Sequence, residues 1–518
     1  MKKLLSILIV AVTLMPLVSK AQSTTTNGPE LELDENASAY VLDDNDDFIL
    51  FFSQKRTWSY DDVVITKYNK QTLGITEQAV DDDYEGRFVF LTDDNTVVNV
   101  VRFVENKKSL LVEYQKASFP LDVKVPKKLV FTTFFSIPLT NPHTNKKESF
   151  YTRACFNADK SKFAIVSTSN MGKNQFQSII DVAVFDNTAN LLYHESKVID
   201  RISHSPFEDI SVSLDGTVYI VWSESDNVYR SYENENGLQI ITCSEHGVFD
   251  YKENPEVKDA YITHKQILKS NNDLCLMCIW GRNGNSECKL RTYTVTSAGE
   301  VDFVEEDITM SADYEGKKYD DGEFAKQKGN FKPYIFDMIK LQDGKFMIVA
   351  ELKKIVQVGV RGNNGFPISG MLSHNFFCIK VDASGRLLEM NVYPRATLTR
   401  EYYANWDKSN PIYAFEWDGD TYLIYNDNRA NYKNNGIIHC LLYNRPDQCS
   451  VVLSKVENNN ELSSTILYDA QTNLRDPRAI AAQFNHEYFL KLLHQADDGI
   501  YYILKHDGEY RLEKITVE

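Results

Sequence analysis

Glu351 and Asp427 are the two carboxylates best placed to do chemistry, the first ending an apolar run and the second opening a polar stretch behind another. Two carboxylates about 5 to 10 Å apart in a concave pocket are what glycosidic-bond cleavage requires. Around them, Arg361, Phe366, Arg400, Tyr402, Tyr403, Trp406, Asn426 and Arg429 fall in or beside the long polar segments 311–333, 352–375, 394–411 and 426–436, and Arg282 joins the set from the turn 281–285. Exposed Trp and Tyr stack on the apolar face of a sugar or anchor a protein interface, while Arg and Asp fix polar groups. The same set would serve a binding face without catalysis, or would pin each loop to the body beneath it. Arg56, Trp58 and Tyr60 form a similar, smaller cluster.

Other chemistry has less to stand on. The chain contains no HExxH, no GxSxG and no Gly-rich phosphate loop, and its ten His are scattered. Asp43 to Asp47, Asp81 to Asp83 and the acidic stretch 320–323 carry oxygen ligands of the kind calcium takes. Phe48 stands where an EF-hand needs Gly and Gln54 where it needs the closing Glu, so turn chemistry explains Asp43 to Asp47 more cheaply. No cofactor is expected. Of the eight Cys, Cys440 and Cys449 bracket one turn and Cys278 and Cys288 another, which makes two cross-strand disulfides the expectation to test against buried free thiols.

The elements that position these residues are strands. In Tyr334 to Glu351, two apolar runs flank Gln342-Asp343-Gly344-Lys345, and Asp-Gly predicts a hairpin with a type I′ turn. The same unit returns at Asp43-Asp44-Asn45-Asp46-Asp47, Asp93-Asp94-Asn95, Asp159-Lys160, Asp215-Gly216, Asn271-Asn272-Asp273, Asp418-Gly419-Asp420 and Asn485-His486-Glu487, roughly 50 to 75 residues apart. Behind each lie two more strand-like runs, as in 376–381 with 386–392 across Asp382-Ala383-Ser384-Gly385. Helical periodicity is confined to a short stretch near Asp476 to Ala482.

Four strands per unit and about eight units resemble a β-propeller, with seven blades as the alternative count. A lone four-stranded sheet leaves both faces apolar, and stacking blades around an axis buries them. The resemblance implies that loops after each second strand, and those joining blades, gather on one face where ligands bind. That places the long segments over blades five to seven. Ile210 to Trp222, with Asn227 to Ser231 behind it, is similar to one blade of sialidase-like propellers. The Asp-box of that family has a spacer where Asp215 and Gly216 are adjacent, so no catalytic residue carries over.

Export is read from the N-terminus. Lys2 and Lys3 precede an apolar segment, Leu4 to Val18, and Ser19-Lys20-Ala21 suits a signal peptidase, so residues 1–21 are expected to be a signal peptide. Residues 22–30 read as a polar tether, and 31–518 as the propeller, with 30–35 a candidate closing strand. The processed chain would be soluble, periplasmic or extracellular, without membrane insertion. It would carry 53 Lys and Arg against 73 Asp and Glu, a net charge of −20 that repels nucleic acid. The functional expectation is an exported binding module for a glycan or an extracytoplasmic protein. The alternatives are a carbohydrate-active hydrolase or lyase on the same face, and a structural envelope protein.

Overall fold

The computed structural model describes 23–31, 38–44, 47–56, 61–81, 88–91, 97–105, 109–118, 128–134, 139–140, 147–148, 151–171, 174–188, 190–200, 209–223, 237–253, 260–282, 285–320, 324, 326–327, 330–361, 366–400, 412–433, 437–442, 448–457, 461–469, 493–506 and 509–517. Within them, eight blades of four antiparallel strands follow one another in chain order, with a two-stranded pair, Leu139–Thr140 and Lys147–Glu148, between the second and third. Blade 1 is Ser38–Asp44, Phe48–Arg56, Asp61–Asn69 and Ile75–Asp81; blade 2 is Phe88–Leu91, Val97–Glu105, Ser109–Ser118 and Lys128–Phe134. Blade 3 is Tyr151–Phe156, Lys162–Met171, Asn174–Asp186 and Leu191–Asp200; blade 4 is Asp209–Val212, Val218–Ser223, Leu238–Ser244 and Gly247–Glu253. Blade 5 is Ala260–Leu268, Leu274–Arg282, Glu287–Val295 and Val301–Thr309; blade 6 is Lys332–Lys340, Phe346–Arg361, Phe366–Val381 and Leu387–Arg400. Blade 7 is Ile412–Trp417, Asp420–Asn428, Cys449–Val456 and Leu462–Asp469. Blade 8 takes Leu493–Ala496, Gly499–His506 and Glu509–Val517 from the C-terminal end and its fourth strand, Ser23–Leu31, from the other end. The chain is an all-β propeller of eight blades.

The second strands of blades 4 to 6 carry long apolar runs because they are covered on both faces. In blade 5, Cys275, Met277 and Ile279 pack toward blade 6, while Leu274, Leu276, Cys278 and Trp280 pack toward blade 4. Burial of each such side chain contributes about 1.5–3 kcal/mol. Fourth strands are largely exposed or half-buried, as Val301–Thr309 is, with Ile308 its one buried residue. First strands of neighbouring blades are joined by side-chain hydrogen bonds. Ile335 N donates to Thr263 Oγ1 (3.0 Å), Gln266 Nε2 to Ser211 Oγ (2.8 Å) and Ala414 N to Asp337 Oδ2 (3.0 Å).

The corner at Asp343-Gly344 differs from the type I′ turn expected. Leu341 N donates to Lys345 O and Gly344 N to Leu341 O, and only Gly344 has positive φ, +80°. Three residues lie between the closing pair, so this is a type I turn ending in a left-handed glycine bulge. The two-residue form belongs to Asp418-Gly419, both at positive φ between the paired Trp417 and Asp420.

Two further expectations are corrected. The stretch expected as a tether is the closing strand, with Ser23 opposite Val517 and Leu31 opposite Tyr510. An outermost strand needs one backbone partner and no apolar side chains, so STTTNGPEL serves. Gly28 lies so close that a Cβ there would meet Leu512 O at 2.5 Å. Gly28→Ala is therefore expected to cost about 1–3 kcal/mol and to speed proteolysis within 23–31; an unchanged urea midpoint and cleavage rate would show the strand tolerates the atom.

All eight Cys are free thiols. Gly281, not Cys278, is opposite Cys288; Cys278 is opposite Arg291, and the two sulfurs face different inter-blade cores. Cys288 lies three positions from Arg291 along its strand, so the register puts it on the face opposite Cys278. Cys440 and Cys449 do not share a hairpin at all, because Cys449 pairs with Asn428 across the second strand of blade 7.

Candidate functional site

The segments expected as long loops are largely built structure. The second and third strands of blade 6 run on past the blade as a hairpin in which Leu352 pairs with His374 and Arg361 with Phe366. The fourth strand accompanies them to Arg400 and takes Leu441–Leu442 in parallel beside Thr397 and Leu398. Lys318–Asp320 pairs in parallel with Ile437–His439. Val356, Leu372, Ala396, Leu398, Ile438 and Cys440 form a core of their own for this outgrowth. His374 is stacked between Tyr319 and Phe331, with ring centroids 4.2 and 4.8 Å away.

Beneath it lies a buried polar seam between blades 6 and 7. Pro394 and Arg395 together oppose the single residue Asn375, whose φ is +44°. Such a bulge re-aims a side chain, and proline there gives up no ladder hydrogen bond. Arg395 is 0% exposed; its Nη1 donates to Glu351 Oε1 (2.9 Å), and its Nε and Nη2 donate to Asn426 O (3.1 and 2.7 Å). Burial raises the Glu351 carboxyl pKa, with Arg395 and Lys353 opposing the shift. Lys353 Nζ sits 3.8 Å from the Tyr334 ring centroid and 4.3 Å from that of Phe336.

Asp427 anchors the strap that leaves blade 7, a 3₁₀ turn Arg429–Lys433 and the run to Leu442. Its Oδ1 accepts from Asn428 N (2.7 Å) and Asn431 Nδ2 (2.9 Å), and its Oδ2 accepts from Tyr432 OH (3.0 Å). Asn431 Oδ1 accepts from His439 N (2.7 Å). Asn428 Nδ2 donates to Cys440 O (3.0 Å). Burial pushes the Asp427 carboxyl up to about 6 against the pull of Arg395 and these donors.

Glu351 (1% exposed), Asn426 (0%) and Asp427 (4%) thus meet around Arg395, yet none reaches solvent. A group that touches substrate must be reachable, so the proposed carboxylate pair is corrected to a buried, ion-paired cluster. Arg282 is exposed at the end of its strand and Arg429 half-buried on the strap. Arg361, Phe366 and Arg400 end strands of the outgrowth. Tyr402, Tyr403, Trp406, Trp58 and Tyr60 lie outside the described residues, as do 321–323 and 476–482. Asp320 Oδ2 lies 3.2 Å from His439 Nδ1. Among the described residues no three His, Cys, Asp or Glu side chains converge as metal ligands. Arg395, His374, Asn431 and Tyr432 belong to the site without being among its sequence candidates. The one signal for Arg395 is a lone charge beside proline in the apolar run Asn391 to Leu398.

No family model matches the sequence, and no curated protein matches it. Among solved structures, the chain is similar to the Dos1 propeller (8% identity, 90% of this chain and 88% of that one, TM-score 0.38). It is also similar to the polysaccharide lyase Uly1 (10% identity, 84% and 90%, TM-score 0.36). A third likeness is to hydrazine synthase of Kuenenia stuttgartiensis (12% identity, 47% and 61%, TM-score 0.26), of which the chain spans less than two thirds. Likenesses this remote carry no argument about activity.

Proposed function

We propose that the protein is an exported binding module that recognises a glycan or an extracytoplasmic protein through the outgrowth of blades 6 and 7, without catalysis. The observation behind this reading is that Glu351 and Asp427 are sealed under an outgrowth with its own apolar core. A segment with a core holds a surface in one shape, and a preformed surface binds without a large ordering cost. Arg282, exposed at the end of its strand in blade 5, and Arg429, half-buried on the strap, are the candidate cations put to the test, and Lys318 and Lys326 are exposed as well.

The test uses the chain from residue 22 onward on a glycan array, in parallel with photo-crosslinking in envelope extracts from positions 282 and 357. Saturable binding to one ligand class, weakened at least tenfold (~1.4 kcal/mol) by Arg282→Ala with Arg429→Ala or by Trp406→Ala, is the expected result. Cleavage of the bound glycan would refute the non-catalytic reading. No ligand in either assay, or equal binding by the variants, would refute the site.

A further inference from the structure

We propose that Asp427 is a proton-binding site reached from solvent through a relay of hydroxyls that crosses blade 7. Four steps make the path. Asp427 Oδ2 accepts from Tyr432 OH at 3.0 Å, and the Tyr432 and Tyr425 oxygens are 3.5 Å apart. Tyr425 OH is 2.9 Å from Ser454 Oγ, and Ser454 Oγ is 2.7 Å from Ser464 Oγ. Ser464 is exposed on the outer strand, whereas Ser454 is 0% exposed. The sheet register builds this row. Tyr425 is opposite Val452, two residues before Ser454 on the same face, and Ser454 is opposite Ser464.

Each hydroxyl both donates and accepts, so a proton taken up at Ser464 is matched by one delivered to Asp427 Oδ2, and no other reactant is needed. The step between the two tyrosine oxygens is the longest and limits the rate. Nothing in the path requires the strap to open.

The groups facing Asp427 fit a site that changes charge. Arg395 faces it from the outer strand of blade 6, with Glu351 on its far side and Lys353 beyond. Tyr432 and Asn431 face it from the strap, and Tyr425 shares its strand. Its opposite residue on the third strand, Ser450, carries no charge. Arg395 supports the carboxylate form and burial the neutral form, which holds the site near its switching point. On protonation, Oδ2 turns from acceptor to donor toward Tyr432, and the row of hydroxyls reverses direction. The strap is thereby held through a different hydrogen bond on each side of the transition. This device stands on the buried seam and does not depend on which ligand the outgrowth takes.

Infrared difference spectra of the chain from residue 22 onward test it without any ligand. A protonated-carboxyl C=O band is expected to titrate with a midpoint near 6, to vanish in Asp427→Asn and to persist in Glu351→Gln. After a pH jump, Ser454→Ala and Tyr425→Phe are each expected to keep the midpoint and slow the band's appearance at least tenfold. A midpoint in the ordinary carboxylate range, or a band that survives Asp427→Asn unchanged, overturns the site. Wild-type relaxation in both relay variants overturns the path.

Discussion

Arg395→Met is expected to cost about 3–5 kcal/mol of stability, the usual penalty for removing one partner of a buried ion pair. The guanidinium has three contacts and no access to water: Glu351 Oε1 at 2.9 Å, and Asn426 O at 3.1 and 2.7 Å. Methionine fills much of the space without supplying any donor. The variant therefore leaves a carboxyl and a backbone carbonyl short of a donor in the buried seam. Glu351 already titrates above its ordinary value, and losing Arg395 raises it further. A group whose folded pKa is raised loses its contribution as pH climbs through that value. The deficit of Arg395→Met should accordingly shrink as pH falls and Glu351 becomes neutral. Adding Glu351→Gln should restore more than half the loss at neutral pH, because an unpaired charge is then no longer buried. Urea unfolding of the single and double variants measures both. A loss below about 1 kcal/mol, within the range of ordinary surface substitutions and small repacking, would mean that the seam admits water and is not the sealed cluster described.

What is legible in the sequence follows from what each residue shows in a linear string. The run Leu274 to Trp280 announces a strand buried on both faces, and the Asp/Asn corners announce the inner hairpins, since both depend on local chemistry. The closing strand Ser23–Leu31 announces nothing, because its role rests on backbone pairing with Glu509–Val517 at the other end of the chain. The outgrowth reads as loop for a related reason. Its residues 352–375 mix Lys, Gln and Gly with Ile and Val, because its private core is small and polar residues such as Lys353, Ser373 and His374 are buried beside it. Glu351 and Asp427 do share one neighbourhood, but the charge that joins them is invisible in the string. Arg395 reaches them only through a bulge at Pro394, and bulges re-aim side chains in ways that alternation along a strand does not anticipate. The disulfide expectation fails by parity: a symmetric bracket fixes distance along the chain, whereas register fixes the face, and Cys278 and Cys288 differ in face.

Asp427→Asn should stabilise the protein above pH 7 and leave it unchanged near pH 4. The Asp427 carboxyl is raised from 3.8 to about 6 by burial, so ionising it at neutral pH costs the folded state free energy that the unfolded chain does not spend. Moving a pKa by one corresponds to about 1.36 kcal/mol between the charged and neutral forms, so removing this charge gains about 3 kcal/mol at most. Asparagine fits the contacts in place. Its Oδ1 can accept from Asn428 N and Asn431 Nδ2 as the carboxylate does, and its Nδ2 can donate to Tyr432 OH as the protonated acid would. The sign follows from the direction of the change: stability from the neutral form is complete below the unfolded value and is lost as pH rises through about 6. Wild type and variant should therefore diverge between pH 4 and 7 and run parallel above. Urea midpoints taken across that range decide the matter. A variant less stable than wild type at pH 8 would show that the negative charge holds the strap, with Arg395 outweighing burial, and that the carboxyl is ionised in the folded protein at little cost.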